Sequence, residues 1–162
     1  MKNKSVLFMT QAAMIAALYV VLTLLANLLG LANYAVQVRF SEALTILPFF
    51  TPAAIPGLFI GCFLSNVLTG CAIPDILFGS LATLIGTVFT YRLRKYKWLA
   101  PVPPIVANAV IVPFVLKYAY GIEPLWFSFV TVTAGEIISC GVLGILLLFA
   151  LKKYAGRIFT DR

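Results

Sequence analysis

The sequence predicts an all-α membrane protein, a six-transmembrane-helix bundle with both termini on the cytoplasmic side. Three observations carry the prediction. Apolar residues make up 62% of the chain and charged residues only 10%, whereas a soluble domain carries about 25% charged residues. The apolar residues come in runs, most of them near the roughly 20 residues that cross a bilayer as a helix. Lysine and arginine gather between the runs in a pattern that alternates sides.

Six segments are expected, at 6–29, 36–50, 53–69, 76–93, 101–120 and 125–151, within a single membrane domain over 1–162. The first follows the basic residues Lys2 and Lys4. Its apolar run outlasts the 7–15 or so residues of a signal-peptide core, so it reads as a retained helix. The second and third are short, and only Thr51-Pro52 separates them. Proline lacks a backbone donor and disfavours helix in the residue before it. The pair therefore reads as two helices joined by a tight reversal at the inner surface, with one long kinked segment as the alternative. The fourth starts near Asp75 and runs into a basic cluster. The fifth starts at Pro101, and the sixth ends at Lys152-Lys153.

With the N-terminus inside, the inner side holds Lys2, Lys4, Arg92, Arg94, Lys95, Lys97, Lys152, Lys153, Arg157 and Arg162. The outer side holds only Arg39 and Lys117. That asymmetry is what cytoplasmic loops show, and five helices would misplace one basic cluster. The net charge of +7 is thus a topology signal rather than a nucleic-acid footprint. The unbroken apolar run Val142–Leu151 excludes the alternation of a membrane barrel. No internal repeat supports an inverted-repeat transporter built from this chain alone.

Several chemistries are excluded by what is missing. The chain has no histidine, which removes histidine-based nucleophile systems and histidine-ligated zinc. Cys62, Cys71 and Cys140 are not spaced as a CxxC pair and read as packing residues. No cofactor or metal site is implied. A phosphate loop of the GxxxxGK[ST] type is absent, so energy for transport would come from a partner or an ion gradient.

The few polar residues inside the apolar runs are the candidates for function. Glu136 lies well inside the last segment, with Thr133 and Cys140 on the same helical face. A charge near the bilayer centre costs about 2.5–3.5 kcal/mol on insertion scales, so such a residue faces the bundle interior. It is either a structural carboxyl or a ligand contact. Arg39 and Glu42 are three apart, and with Phe40 they place a cation, an acid and an aromatic at one mouth; a surface ion pair is the other reading. Asp75 is either a helix cap on the dipole or a ligand contact. Asn27, Asn66 and Asn108 are each suited to helix–helix hydrogen bonding. These groups gather toward the outer half, together with Tyr34, Phe40, Tyr118, Tyr120 and Trp126. Apolar walls with a few convergent polar groups describe a small-molecule site. Glu123 reads as a solvated loop charge. In the first helix, Ala12/Ala16 and Ala13/Ala17 form overlapping small-xxx-small pairs, suited to close packing by another helix inside or outside this chain.

The stretch from Val38 to Cys62 resembles the QueT family, as do Asp75-Ile76-Leu77-Phe78-Gly79-Ser80-Leu81-Ala82-Thr83-Leu84, Trp98-Leu99-Ala100-Pro101-Val102-Pro103-Pro104 and Gly135-Glu136. The resemblance covers nearly the whole chain. It implies the six-helix fold of the substrate-binding (S) components of energy-coupling-factor (ECF) transporters. It also implies capture from outside of a queuosine precursor: queuine, or a 7-deazaguanine base such as preQ1 or preQ0. The implied partners are a transmembrane coupling subunit, met by Ala12, Ala13, Ala16 and Ala17, and two ATPase subunits. No enzymatic activity is implied. Joined to the residue reading, the ligand edge is expected on Glu136 or Glu42. Asn66, Asn108 and Asp75 complete the polar set, Arg39 stands at the mouth, and Phe40 or Trp126 lies against the ring. An S component for another vitamin-like ligand and a stand-alone proton-coupled carrier are the alternatives.

Overall fold

A computed structural model describes residues 4–31 and 38–158. Among the described residues every regular element is helical. Helix α1 is Lys4–Leu28; a 3₁₀ helix follows at Phe40–Phe49; α2 is Ala54–Leu68, α3 Ile73–Arg92 and α4 Val102–Tyr120. Helix α5 is Leu125–Lys152, and a short α6, Ala155–Ile158, follows it. The middle of α5, Ile137–Leu143, is wound as a π-helix. Gly121, at φ +67°, closes α4 in the left-handed conformation that suits glycine.

Four helices, α1, α3, α4 and α5, are long and apolar enough to cross a membrane. The chain is a multi-pass membrane protein. The expected second and third crossings are shorter. At 10 and 15 residues, the 3₁₀ helix and α2 rise only about 20 Å and 22 Å, short of a hydrocarbon core about 30 Å thick. The second segment does not begin as a helix where expected. Positions 36 and 37 lie outside the described residues, as do Tyr34, Lys2, Asp161 and Arg162, and Arg39 is extended.

The two short elements form a hairpin against α1. The 3₁₀ helix runs antiparallel to α1, as three side-chain bonds record: Thr23 to Ser41, Tyr19 to Glu42 and Thr51 to Gln11. Their α1 members fall on one i, i+4 stripe. Helix α2 then returns parallel to α1. The reversal between them is covered by other parts of the chain. Thr51 and Ala53 are fully buried, and Phe50 joins a core that includes Ala100, Leu148 and Ala155. The turn's polar groups are therefore met internally. The Thr51 hydroxyl donates to Gln11 Oε1 at 3.0 Å and accepts the Ala53 N–H at 3.3 Å.

Helix α2 lies on α1 through two glycines. A Cβ on Gly57 would stand 2.6 Å from the Ala12 carbonyl oxygen, and one on Gly61 would stand 3.0 Å from that of Ala16. Ala12 and Ala16 are the matching small residues on α1. Their small-xxx-small pair is thus used inside the chain, while Ala13 and Ala17 remain exposed. Helices α3 and α4 meet as closely, with Gly86 against Pro104 and the Thr90 hydroxyl donating to the Ala100 carbonyl at 2.9 Å. The loop after α3 folds onto the end of α5, where Trp98 stacks edge-on to Phe149 at 5.7 Å. Lys4, Arg92, Arg94, Lys95, Lys97, Lys152 and Lys153 therefore share one end of the bundle.

Replacing Gly57 by alanine should destabilise the protein by about 1–3 kcal/mol, the usual penalty of overpacking, because the new methyl meets backbone that cannot move aside. Thermal unfolding in detergent checks this. An unchanged melting temperature would contradict the close α1–α2 approach.

Candidate functional site

The 3₁₀ winding organises the polar centre. In a 3₁₀ helix side chains three apart eclipse one another, so Glu42 and Thr45 stand in a row, with Arg39 at the extended position just before the helix. Two local features favour this winding over α: Pro48 removes one backbone donor, and the Thr45 hydroxyl takes the Glu42 carbonyl at 2.6 Å. The row faces the π-wound part of α5. There the Ser139 hydroxyl accepts the Arg39 N–H at 3.1 Å, and the Cys140 thiol lies 3.4 Å from both Thr45 Oγ1 and the Glu42 carbonyl. Cys140 also donates to Glu136 Oε2 at 3.0 Å. Two irregular helices thus bring Glu42 and Glu136 together, both inside the protein at 2% and 8% exposure.

Two spaces follow from this packing, with Arg39 in the wall of each. The deeper is a narrow cleft of about 10 Å³ among Glu42, Glu136, Asn108, Thr83, Gly79 and the apolar Val112 and Val132. It holds about one water-sized group. The larger is a cavity of about 250 Å³ toward the end of the bundle opposite the basic residues. Thr23, Asn27, Asn66, Thr69, Asp75 and Tyr120 supply most of its polar wall, and Leu116 and Ile122 its apolar wall. That volume lies just under the range of drug-sized pockets and suits one small bicyclic molecule.

Most of the polar candidates converge here. Asn66 and Asp75 are buried on neighbouring helices and flank Gly79. A Cβ at Gly79 would lie 3.3 Å from both Asn66 Nδ2 and Asp75 Oδ1, so glycine lets these two polar side chains sit close to α3. Asp75 lies in the first turn of α3, where the helix dipole favours an acid, and its carboxylate accepts the Tyr120 hydroxyl at 3.1 Å. Asn108 reaches the lower cleft from α4. Glu123 pairs with Lys117 at 3.0 Å on the surface, as a loop charge does.

The aromatic candidates fall elsewhere. Trp126 is 66% exposed and lines neither space, and Phe40 lines neither. Tyr120 is the aromatic in the cavity wall, held by Asp75 and by the Ala72 N–H at 2.9 Å. The sequence placed it in the outer aromatic group without choosing it as the ring partner. Tyr19 is the residue sequence reasoning missed. It is 1% exposed and donates to Glu42 Oε1. A tyrosine inside a helix of alanines, leucines and valines carries no signal of that contact. All four alanines of the small-residue stripe, Ala12, Ala13, Ala16 and Ala17, line an apolar groove of about 800 Å³ between α1 and α2 with Met9, Val21, Ile60 and Leu64, remote from the polar site. Ala13 and Ala17 are its exposed members, while Ala12 and Ala16 also meet the α2 glycines.

Chemically, the arrangement offers acceptors. Glu42 Oε2 is buried and has no hydrogen-bond partner. Donor atoms of Glu42, Glu136 and Cys140 lie within 4.8 Å of one another, near enough for a cation, but Arg39 already lines the same cleft. A neutral molecule rich in N–H groups, or one carrying an amine, fits this set.

The chain matches the family model described as QueT transporter over residues 9–153. Among curated proteins, "Queuosine precursor transporter QueT" of Lactococcus lactis subsp. cremoris is 35% identical over 103 residues, covering 60% of this chain and 60% of that protein. The match thus spans about three fifths of the relative's length. No solved structure matches significantly.

The three cysteines offer a test of the cavity. Cys71 lines it and is half-buried, while Cys62 and Cys140 are each 1% exposed. A small maleimide should label the folded protein at Cys71 alone, with the other two reacting after denaturation. Peptide mapping of the adducts reads the result. Rapid labelling of Cys140 would contradict its burial against the 3₁₀ helix.

Proposed function

The chain belongs to the QueT transporter family, and from that premise we propose that it is the substrate-binding component of an ECF-type importer for a queuosine precursor. Its substrate is then queuine or a related 7-deazaguanine base. The observation that carries the reading is the pair of buried carboxylates, Glu42 and Glu136, set beneath a cavity sized for one base. The relative's printed name supports the substrate class.

The chemistry agrees with the family. A 7-deazaguanine presents adjacent N–H donors beside a carbonyl on its pairing edge. A carboxylate accepts two such donors, and a good bidentate pair discriminates by about 1–3 kcal/mol. Arg39 or an asparagine amide is suited to the carbonyl. Tyr120 takes the stacking role, which contributes about 1–3 kcal/mol per base. Nanomolar binding needs about 12.3 kcal/mol, so burial of the ring against Leu116 and Ile122 supplies much of the remainder.

Orientation and coupling follow from the two ends and the outer groove. By the positive-inside rule the basic end is cytoplasmic, so the cavity opens outward and both termini are inside the cell. The chain acts without enzymatic chemistry of its own, and ATPase partners supply the energy through a transmembrane coupling subunit. The exposed Ala13/Ala17 row in its apolar groove is the surface for that subunit, since close helix contact in a bilayer needs small residues.

Glu42→Gln and Glu136→Gln should each weaken queuine binding about tenfold or more, a loss of about 1.4 kcal/mol per factor of ten. Calorimetry on the purified protein measures it. Wild-type affinity in both variants would remove the carboxylates from the site. Ala17→Leu should reduce co-purification with the coupling subunit and leave queuine affinity unchanged. Normal assembly of that variant would move the partner surface elsewhere.

A further inference from the structure

We propose that Tyr19 is a positioning residue that sets which oxygen of Glu42 meets the ligand, and through it the selectivity for a base bearing an exocyclic amine. The inference rests on the functional reading above. Tyr19 lines neither the cavity nor the cleft, so it acts through another group. Its hydroxyl donates to Glu42 Oε1, which leaves Glu42 Oε2 as the buried carboxylate oxygen without a partner, and Glu42 lines the cleft. A carboxylate held at one oxygen cannot turn its plane freely. The remaining oxygen is then a fixed acceptor, and discrimination by hydrogen bonding depends on such fixed geometry.

The backbone around Tyr19 is itself held. Gly61 packs at its Cβ, where an added methyl would stand 2.8 Å away. One turn further on, Thr23 donates to the Ser41 hydroxyl at 2.8 Å and fixes the residue before Glu42. Tyr19 and Thr23 thus clamp the start of the 3₁₀ helix from α1. Of the two, only Tyr19 reaches the carboxylate. A site that hydrogen-bonds a substrate N–H rejects an analogue lacking it, because its buried acceptor is then left unpaired. Glu42 Oε2 is such an acceptor, and the exocyclic amine of a 7-deazaguanine is the donor that fits it.

The test compares 7-deazaguanine with 7-deazahypoxanthine, which differ by that amine alone, on the purified full-length chain. Wild type should prefer 7-deazaguanine by about tenfold. Tyr19→Phe, which keeps the ring and removes one hydroxyl, should bring the two affinities to within about twofold of each other, chiefly by weakening 7-deazaguanine. Glu42→Gln should also reduce the preference, and adding Tyr19→Phe to it should change the ratio no further. Melting temperatures of each variant separate loss of fold from loss of selectivity. Equal weakening of both bases by Tyr19→Phe, or an unchanged preference, would overturn the positioning role. Failure of the wild type to bind either base would instead overturn the functional reading on which it rests.

Discussion

A carboxylate placed inside a membrane protein must have its acceptors met by other parts of the chain or by a bound molecule, because lipid offers no donors. Glu42 is where that constraint is concentrated. Its side chain is held by Tyr19 from α1, and its carbonyl by Thr45 and the Cys140 thiol. The 3₁₀ winding aligns Glu42 and Thr45, and the π-winding of α5 brings Glu136, Ser139 and Cys140 across from them. A regular α-helix would offset residues 42 and 45 around its axis. Irregular winding at the centre is therefore what brings two acids, a thiol and two hydroxyls together where the 3₁₀ helix meets α5.

The rest of the bundle is arranged around that centre in two halves. The half toward the basic end is apolar and closely packed, with Ile46, Leu47, Phe50, Leu58 and Leu148 in one core. Its role is to anchor the short 3₁₀–α2 hairpin, which is not long enough to hold itself across a bilayer. The other half is open and polar. The 3₁₀ helix passes from one half to the other. Its lower end is fixed by leucines and phenylalanines, and its upper end presents Glu42.

Much of this was legible in the sequence. Apolar runs and basic clusters carried the helical membrane class. The burial cost of Glu136 pointed inward, and Glu42, Asp75, Asn66 and Asn108 were marked by the same rule. What stayed hidden depended on registration between segments far apart in the chain. Nothing near Tyr19 announces a partner 23 residues away. Phe40 and Trp126 looked like ring partners because they lie near the right level, yet their faces are set by winding that hydropathy does not encode. The reversal at Thr51-Pro52 was readable as a turn, but its burial depends on Ala100 and Ala155, which only the folded chain brings over it.

The division of the alanine stripe links packing to function most directly. Ala12 and Ala16 contact the α2 glycines, Ala13 and Ala17 face outward, and Tyr19 follows on the inner stripe of the same helix. Helix α1 therefore touches α2, the 3₁₀ helix and the surroundings at once. A partner seated on Ala13 and Ala17 would press on the one helix whose side chains fix Glu42, Ser41 and Thr51. Close small-residue contacts transmit displacement with little slack, because packed cores have two arrangements rather than a continuum. The same α1 that holds the Glu42 carboxylate in place is thus the element through which pressure on its outer face would reach that carboxylate.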